Sequence, residues 1–223
     1  MNVKGLLIVN LLLAAAMAGF ALWIAANLES GAQLPIHWNV AGEIDGYAPA
    51  LLALLFPAGA SLLLSFVFAS VPFLEPLQNR LEASAGVTRV VWIGSMLLMT
   101  CIQLMIAAPA FGWSPSSNFF SLGVGALLLA IGNSLPKSRP GFFVGIRTPW
   151  TLVDTDNWIA THRLGGKLMM SAGGLTMLAP FIPVSPNLKA VTIGVAIGAS
   201  ALIPIVYSWW IWRRKIHAAQ SEA

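Results

Sequence analysis

Long stretches without a charge constrain this chain more than any other feature. Lys4 and Glu29 enclose 24 uncharged residues, and Asp45 and Glu75 enclose 29. Arg89 to Lys137 encloses 47, Lys167 to Lys189 encloses 21, and Lys189 to Arg213 encloses 23. A helix rises about 1.5 Å per residue, so about 20 residues cross a hydrocarbon core of about 30 Å. Four of these stretches fit one crossing each. The longest fits two, broken at Phe111-Gly112-Trp113-Ser114-Pro115-Ser116-Ser117, where turn-forming residues interrupt the apolar run. The reading is an all-α integral membrane protein with six transmembrane helices, over residues 5–28, 50–72, 90–110, 118–136, 167–184 and 189–212.

Composition points the same way. Of 223 residues, 57% are hydrophobic and 9% charged, against about 25% charged in soluble domains. That excludes a soluble enzyme, a nucleic-acid-binding domain and a disordered chain. The net charge of +4 is too small and dispersed for direct nucleic-acid contact. The single Cys101 excludes an internal disulfide framework and a Cys-based zinc site. The first apolar run exceeds the roughly 7–15 residues of a signal-peptide core, so a retained helix is expected.

Six crossings put both termini on one side. Eleven of the 12 basic residues then fall on that side, and Lys189 alone falls on the other. By the positive-inside rule the orientation is N-in, C-in. The first loop is outer and short; the fourth is inner and partly helical. Two segments follow: residues 1–72, with an outer-loop module at 30–49, and residues 73–223, with an inner loop at 137–166. Trp23, Trp92, Trp113, Trp209, Trp210 and Trp212 sit near span ends, as an interfacial aromatic belt would.

No Asp, Glu, Lys, Arg or His lies deep in any expected span. This counts against a proton-coupled transporter, a pump or an intramembrane aspartyl protease. Asn10, Ser61, Ser65, Thr100, Gln103, Ser121, Asn133, Thr176 and Ser200 are the deep polar residues, expected to hydrogen-bond between helices. Gly194 and Gly198 form a GxxxG pattern that would let two helix backbones approach. Pro57, Pro109, Pro180, Pro183 and Pro204 mark kinks or span ends. Function therefore falls to the loops.

In the outer loop, Gly42 and Asp45-Gly46 supply turn positions. Leu34, Ile36, Trp38, Val40 and Ile44 suit one face of a small hairpin or cap. His37, Glu43 and Asp45 are a minimal donor set for a divalent metal, and no metal is assigned to them. Otherwise His37 hydrogen-bonds the loop to itself, or the loop recognises an external ligand through its aromatic residues. In the inner loop Phe142, Phe143, Val144, Ile146, Trp150 and Leu152 should dip into the headgroups or pack under the bundle. Asp154 or Thr155 can cap a short helix to about Leu164, with Trp158 and His162 on one face and Gly165-Gly166 loosening the chain after it. Arg147 is expected to pair with Asp154 or Asp156. A catalytic reading would use His162 as base and Arg147 as anion clamp, but no nucleophile, metal set or phosphate loop accompanies them. A structural plug and a docking surface for a cytoplasmic partner are the other readings.

Both loops resemble the SdpI family of bacterial membrane proteins. The outer match is Pro35-Ile36-His37-Trp38-Asn39, Gly42 and Asp45-Gly46-Tyr47. The inner match runs through Gly145-Ile146-Arg147-Thr148-Pro149-Trp150-Thr151-Leu152, Trp158, Thr161-His162-Arg163 and Gly165-Gly166, with Gly132-Asn133 upstream. Gly141 departs from it, since the family often has Asn there. The resemblance implies a multi-pass protein of the bacterial cytoplasmic (inner) membrane with an immunity and signalling role, no cofactor and no catalysis. Such proteins protect a producing cell from a secreted toxin peptide, and some hold an ArsR-type repressor at the membrane. The ligand-binding residues would be His37, Trp38, Asn39, Glu43, Asp45 and Tyr47. The partner-docking or structural signature would be Asn133, Arg147, Thr148, Pro149, Trp150, Asp154, Trp158, His162 and Arg163. A transporter or exporter of a peptide or lipid and a membrane enzyme acting on lipid or cell wall are the competing classes. The residues do not fix the oligomeric state.

Overall fold

The computed structural model describes residues 3–76, 78–114 and 118–221; Pro115 to Ser117 of the expected break lie outside the described residues. Among the described residues there are six long helices: α1 (Val3–Asn27), α2 (Ala50–Leu74), α3 (Gln78–Ala107), α4 (Asn118–Ser134), α6 (Thr155–Leu178) and α7 (Pro186–Ser221). A five-residue helix, α5 (Pro149–Val153), precedes α6. Between α1 and α2 the strands β1 (Gln33–Trp38) and β2 (Ile44–Pro49) pair as an antiparallel hairpin. The fold is thus mostly helical, consistent with the all-α membrane reading, and its one small sheet is the hairpin expected of the first loop.

Among the described residues, five helical segments are long and apolar enough to cross a membrane: Val3–Asn27, Ala50–Leu74, Ser84–Phe111, Asn118–Lys137 and Pro186–Ala218. Helix α6 is not among them. Its 24 residues reach about 36 Å, but Gly and polar residues lower its hydropathy. Pro109 and Pro180 sit in the short 3-10 turns Ala108–Phe111 and Ala179–Phe181, beyond α3 and α6. Pro57 and Pro204 lie inside α2 and α7.

Gly165 and Gly166 do not loosen the chain: α6 runs through both, and both are buried. Their lack of a side chain serves packing. A Cβ on Gly166 would meet the Gly132 carbonyl at 2.6 Å, and one on Gly132 would meet the Gly166 carbonyl at 2.7 Å. Gly125 and Gly173 repeat the arrangement at 2.7 Å in both directions. Helix α4 therefore lies backbone to backbone against α6. Each Gly costs a helix about 1 kcal/mol relative to Ala, which close interhelical contact in lipid can offset. Gly194 and Gly198 face open space, so GxxxG brings no backbone close among the described residues.

The first three helices are joined by side chains. Asn10 donates to the Ser61 carbonyl at 3.1 Å and accepts from the Ser61 hydroxyl at 2.8 Å. Gln103 donates to the carbonyls of Met17 and Leu54 at 2.8 and 2.9 Å, tying α3 to both α1 and α2. Trp92 is fully buried and donates to Ser65 at 2.7 Å, so it leaves the expected aromatic belt. Thr176 and Ser200 bond within their own helices instead. Leu34 of β1 enters a core with Ala21, Ile24, Ala53, Leu54 and Ile106, which seats the hairpin on α1, α2 and α3.

Candidate functional site

Two ends of the bundle carry the residues of interest. Helix α4 ends in a 3-10 turn, Leu135–Lys137, and an irregular, bent segment then leads to α5. Thr148 caps α5: its side chain accepts from the Thr151 N–H at 3.2 Å, and Thr151 Oγ1 accepts from the Thr148 N–H at 2.9 Å. Pro149 follows at the first helical position, where its missing N–H costs nothing. Asp154 then caps α6, accepting from Asp156 N–H at 2.9 Å and Asn157 N–H at 3.2 Å.

Within α6, Trp158 and His162 stack at 4.0 Å between centroids, and both are fully buried. The Trp158 indole donates to Ser138 at 3.3 Å. His162 Nε2 accepts from the Ile146 N–H at 2.8 Å, so its proton sits on Nδ1, which donates to the Trp158 carbonyl at 2.8 Å. Burial lowers the His162 pKa to about 4, against the opposing pull of that carbonyl, and the ring is neutral at pH 7. Gly145 (φ 111°) closes over the stack; a Cβ there would lie 2.4 Å from Nε2 and 2.7 Å from the Trp158 ring. Both ring nitrogens are engaged, so this geometry gives His162 no free nitrogen with which to act as a base.

Helix α7 completes this end. Asn157 donates to the Ser208 carbonyl at 2.8 Å and accepts from Thr161 at 3.0 Å, while Thr148 and Ser208 hydroxyls meet at 3.1 Å. Lys215 pairs with Asp154 at 2.6 Å and lies 3.9 Å from Asp156. Burial raises the Asp154 pKa, but the Lys215 hydrogen bond, backbone N–H groups and the Lys215 charge outweigh it, and the net shift is downward. The expected Arg147 pair with Asp154 or Asp156 is therefore not formed: Lys215 takes the carboxylates, and the exposed Arg147 guanidinium donates to the Phe142 carbonyl. Trp150 packs on Trp212 at 5.6 Å. Asn133 and Arg163 are exposed and stand apart from the buried network.

Sequence reasoning missed Glu75. It is buried at the end of α2 and accepts from the N–H groups of Phe142 and Phe143 at 2.9 and 3.2 Å. A Cβ on Gly141 would come within 3.3 Å of the same carboxylate oxygen. Ser84 of α3 adds a second tie, accepting from Arg139 N–H at 2.9 Å and donating to its carbonyl at 3.3 Å. Glu75 served in the sequence as a charge marking a span end, and nothing local pointed to partners 67 residues away. Phe142 and Phe143 remain exposed and Ile146 half-buried. The interior of this end is hydrogen-bonded rather than greasy.

At the opposite, hairpin end, His37 Nδ1 meets Asp45 Oδ1 at 2.5 Å across the strands. Gly46 makes room, since a Cβ there would lie 2.9 Å from His37 Cβ. Asn39 and Glu43 close the tip by reciprocal bonds of 3.0 Å. Glu43 thus turns away, and of the three candidate metal donors only His37 and Asp45 come together. A register shift around His37 places Leu34 and Pro35 both inside and Ile36 and His37 both outside, breaking the expected apolar alternation. A cavity of about 560 Å³ opens beside β1; His37, Trp38 and Asn39 line it, and Glu43, Asp45 and Tyr47 do not.

Comparison with known proteins finds both regions. Residues 137–208 match the model of the SdpI/YfhL protein family, a range that ends on Ser208, the partner of Thr148 and Asn157. Residues 11–60 match a domain of unknown function, DUF1648, which includes the hairpin. Over 87 residues the chain is 29% identical to the immunity protein SdpI of Bacillus subtilis (strain 168), a stretch covering 39% of this chain. The match spans 42% of that relative's length. No solved structure matches.

Proposed function

From membership of the SdpI family, which the two matched segments and the immunity-protein relative support, we propose that this chain is a membrane immunity protein giving resistance to a secreted antimicrobial peptide. In this reading the six expected spans cross the cytoplasmic membrane, the part of α6 from residue 167 onward included, shielded by α4 and α7. The hairpin end faces outward and the signature end faces the cytoplasm, with both termini inside, a placement that the distribution of basic residues supports. The toxin peptide engages the hairpin around His37, Trp38 and Tyr47. The exposed Phe142, Phe143 and Arg147 then present or withdraw a docking face for an ArsR-type repressor.

One observation carries the coupling. Helix α2 starts directly after β2 and ends at Glu75, which holds the signature loop by two N–H groups. A ligand that shifts the hairpin thus acts on one continuous helix whose far end grips Phe142 and Phe143. Two packings of similar energy, one favoured by the ligand, would suffice for signalling. The one-sided cavity, lined only from the hairpin end, fits a receptor better than a through-passage.

A deletion strain challenged with candidate toxin peptides tests the reading. The wild-type gene should restore growth. Arg147→Ala should insert normally yet abolish induction of a repressor-controlled reporter. Loss of the gene without any change in toxin sensitivity would refute immunity, and unchanged induction in Arg147→Ala would refute the docking role.

A further inference from the structure

The cavity at the hairpin end has a polar rim and an apolar floor. Its rim is formed by Asn39 in the hairpin, Asn118 and Ser121 in the first turn of α4, and Lys189 in the first turn of α7. Phe56 is the seventh residue of α2 and Ile193 the eighth of α7, about 10 Å in from the helix starts at 1.5 Å per residue. Ile193, with Ile102 and Met105 of α3, makes the floor, and the exposed Phe56 borders it.

Lys189 sets the charge preference. It is half-buried and makes no ion pair among the described residues. The two tip carboxylates are committed elsewhere, Asp45 to His37 and Glu43 to Asn39. A cation partly withdrawn from water without a counter-ion favours an anionic ligand group. The floor sets the rest. A peptide would bring an N–H and a C=O per residue, each needing a partner, and the floor side chains offer none. An acyl chain needs none, and about 560 Å³ lies within the roughly 300–1,000 Å³ of small-ligand sites.

We propose that this cavity binds a single-chain anionic amphiphile of the fatty-acid class, with the acyl chain on Phe56, Ile102, Met105 and Ile193 and the carboxylate at Lys189. The site is independent of the immunity reading and would exist whatever the hairpin senses. The test uses the full chain in phosphatidylcholine nanodiscs, titrated with cis-parinaric acid and its methyl ester and read by energy transfer from tryptophan. The acid should bind saturably. Lys189→Ala should weaken the acid about tenfold, the scale of one lost hydrogen bond to a charged group, and leave the ester unchanged. Ile193→Trp and, separately, Ala190→Trp, a neighbouring position that also lines the cavity, should fill it and remove binding of both probes. A signal that does not saturate, or that persists in both filled variants, would mean partition into the bilayer and overturn the site. So would equal affinity of Lys189→Ala for the acid. Loss of binding on adding phosphatidylglycerol to the nanodiscs would overturn the single-chain assignment.

Discussion

The two ends of the bundle are held in opposite ways. At the hairpin end the polar contacts are local and exposed: His37 to Asp45 spans eight residues and Asn39 to Glu43 four. At the signature end they are mostly buried and long-range: Ile146 to His162 spans 16 residues, Asn157 to Ser208 spans 51, Thr148 to Ser208 spans 60 and Phe142 to Glu75 spans 67. Exposed pairs contribute about 0–1 kcal/mol, whereas stripping a buried group of its partner costs about 1–3 kcal/mol. The hairpin is therefore a cap that closes on itself and can shift beside an open cavity. The signature end is a joint in which α2, α3, α4, α5, α6 and α7 meet.

Two glycines put the contrast to its strongest test. Gly145 and Gly31 both have positive φ, 111° and 84°. Only Gly145 would drive a Cβ into neighbours; around Gly31 there is open space. Gly145→Ala should lose about 3 kcal/mol or more, summing overpacking and backbone strain. Gly31→Ala should lose about 1 kcal/mol from strain alone. Thermal unfolding in one detergent compares them, and equal losses would erase the distinction between the ends.

Acid should act on the signature end next most strongly. His162 precedes the segment expected to span the membrane, and its native pKa of about 4 lies below the ordinary 6.5. Between those values the unfolded chain binds the proton and the native chain does not. Stability therefore rises with pH through that window and is fully present above about 6.5. The gap of about 2.5 units corresponds to at most about 3 kcal/mol at 1.36 kcal/mol per unit. His162→Gln should be less stable at neutral pH yet lose less between pH 6.5 and pH 4. Parallel pH curves for variant and wild type would show that His162 is not the group protonated.

Much of this architecture is legible in the amino-acid order because hydrocarbon imposes a length. The expected spans 5–28 and 50–72 meet α1 at Val3–Asn27 and α2 at Ala50–Leu74. Pairings across the bundle are not legible in the same way. Gly165 and Gly166 read as a loose joint because glycine weakens an isolated helix, yet the partner that makes them useful, Gly132, lies on α4. Arg147 looked like the partner of Asp154 because it is seven residues away, but Lys215, 61 residues away, reaches the carboxylate first. The tail's cations carried topological meaning in the sequence, and nothing there showed that α7 continues to Ser221 and brings one of them back onto α6. Stacked neighbours such as Trp158 and His162 were visible from their spacing of four on one helix.

The smallest effect is expected where the comparison is most exposed to failure. The His37 and Asp45 side chains are 67% and 46% exposed. Asp45→Ala should then cost no more than about 0.5 kcal/mol, since solvent screens the pair and neither partner is left buried without a bond. Thermal unfolding beside wild type measures this. The same variant should weaken toxin protection if the hairpin must keep its shape to meet the peptide, because Asp45 fixes the ring of His37 at the cavity edge. A loss above about 2 kcal/mol would mean that the hairpin carries the bundle rather than capping it. A shift of the hairpin would then cost too much to serve as a signal along α2, and the coupling through Glu75 would have to be replaced by one running through α3 and Gln103.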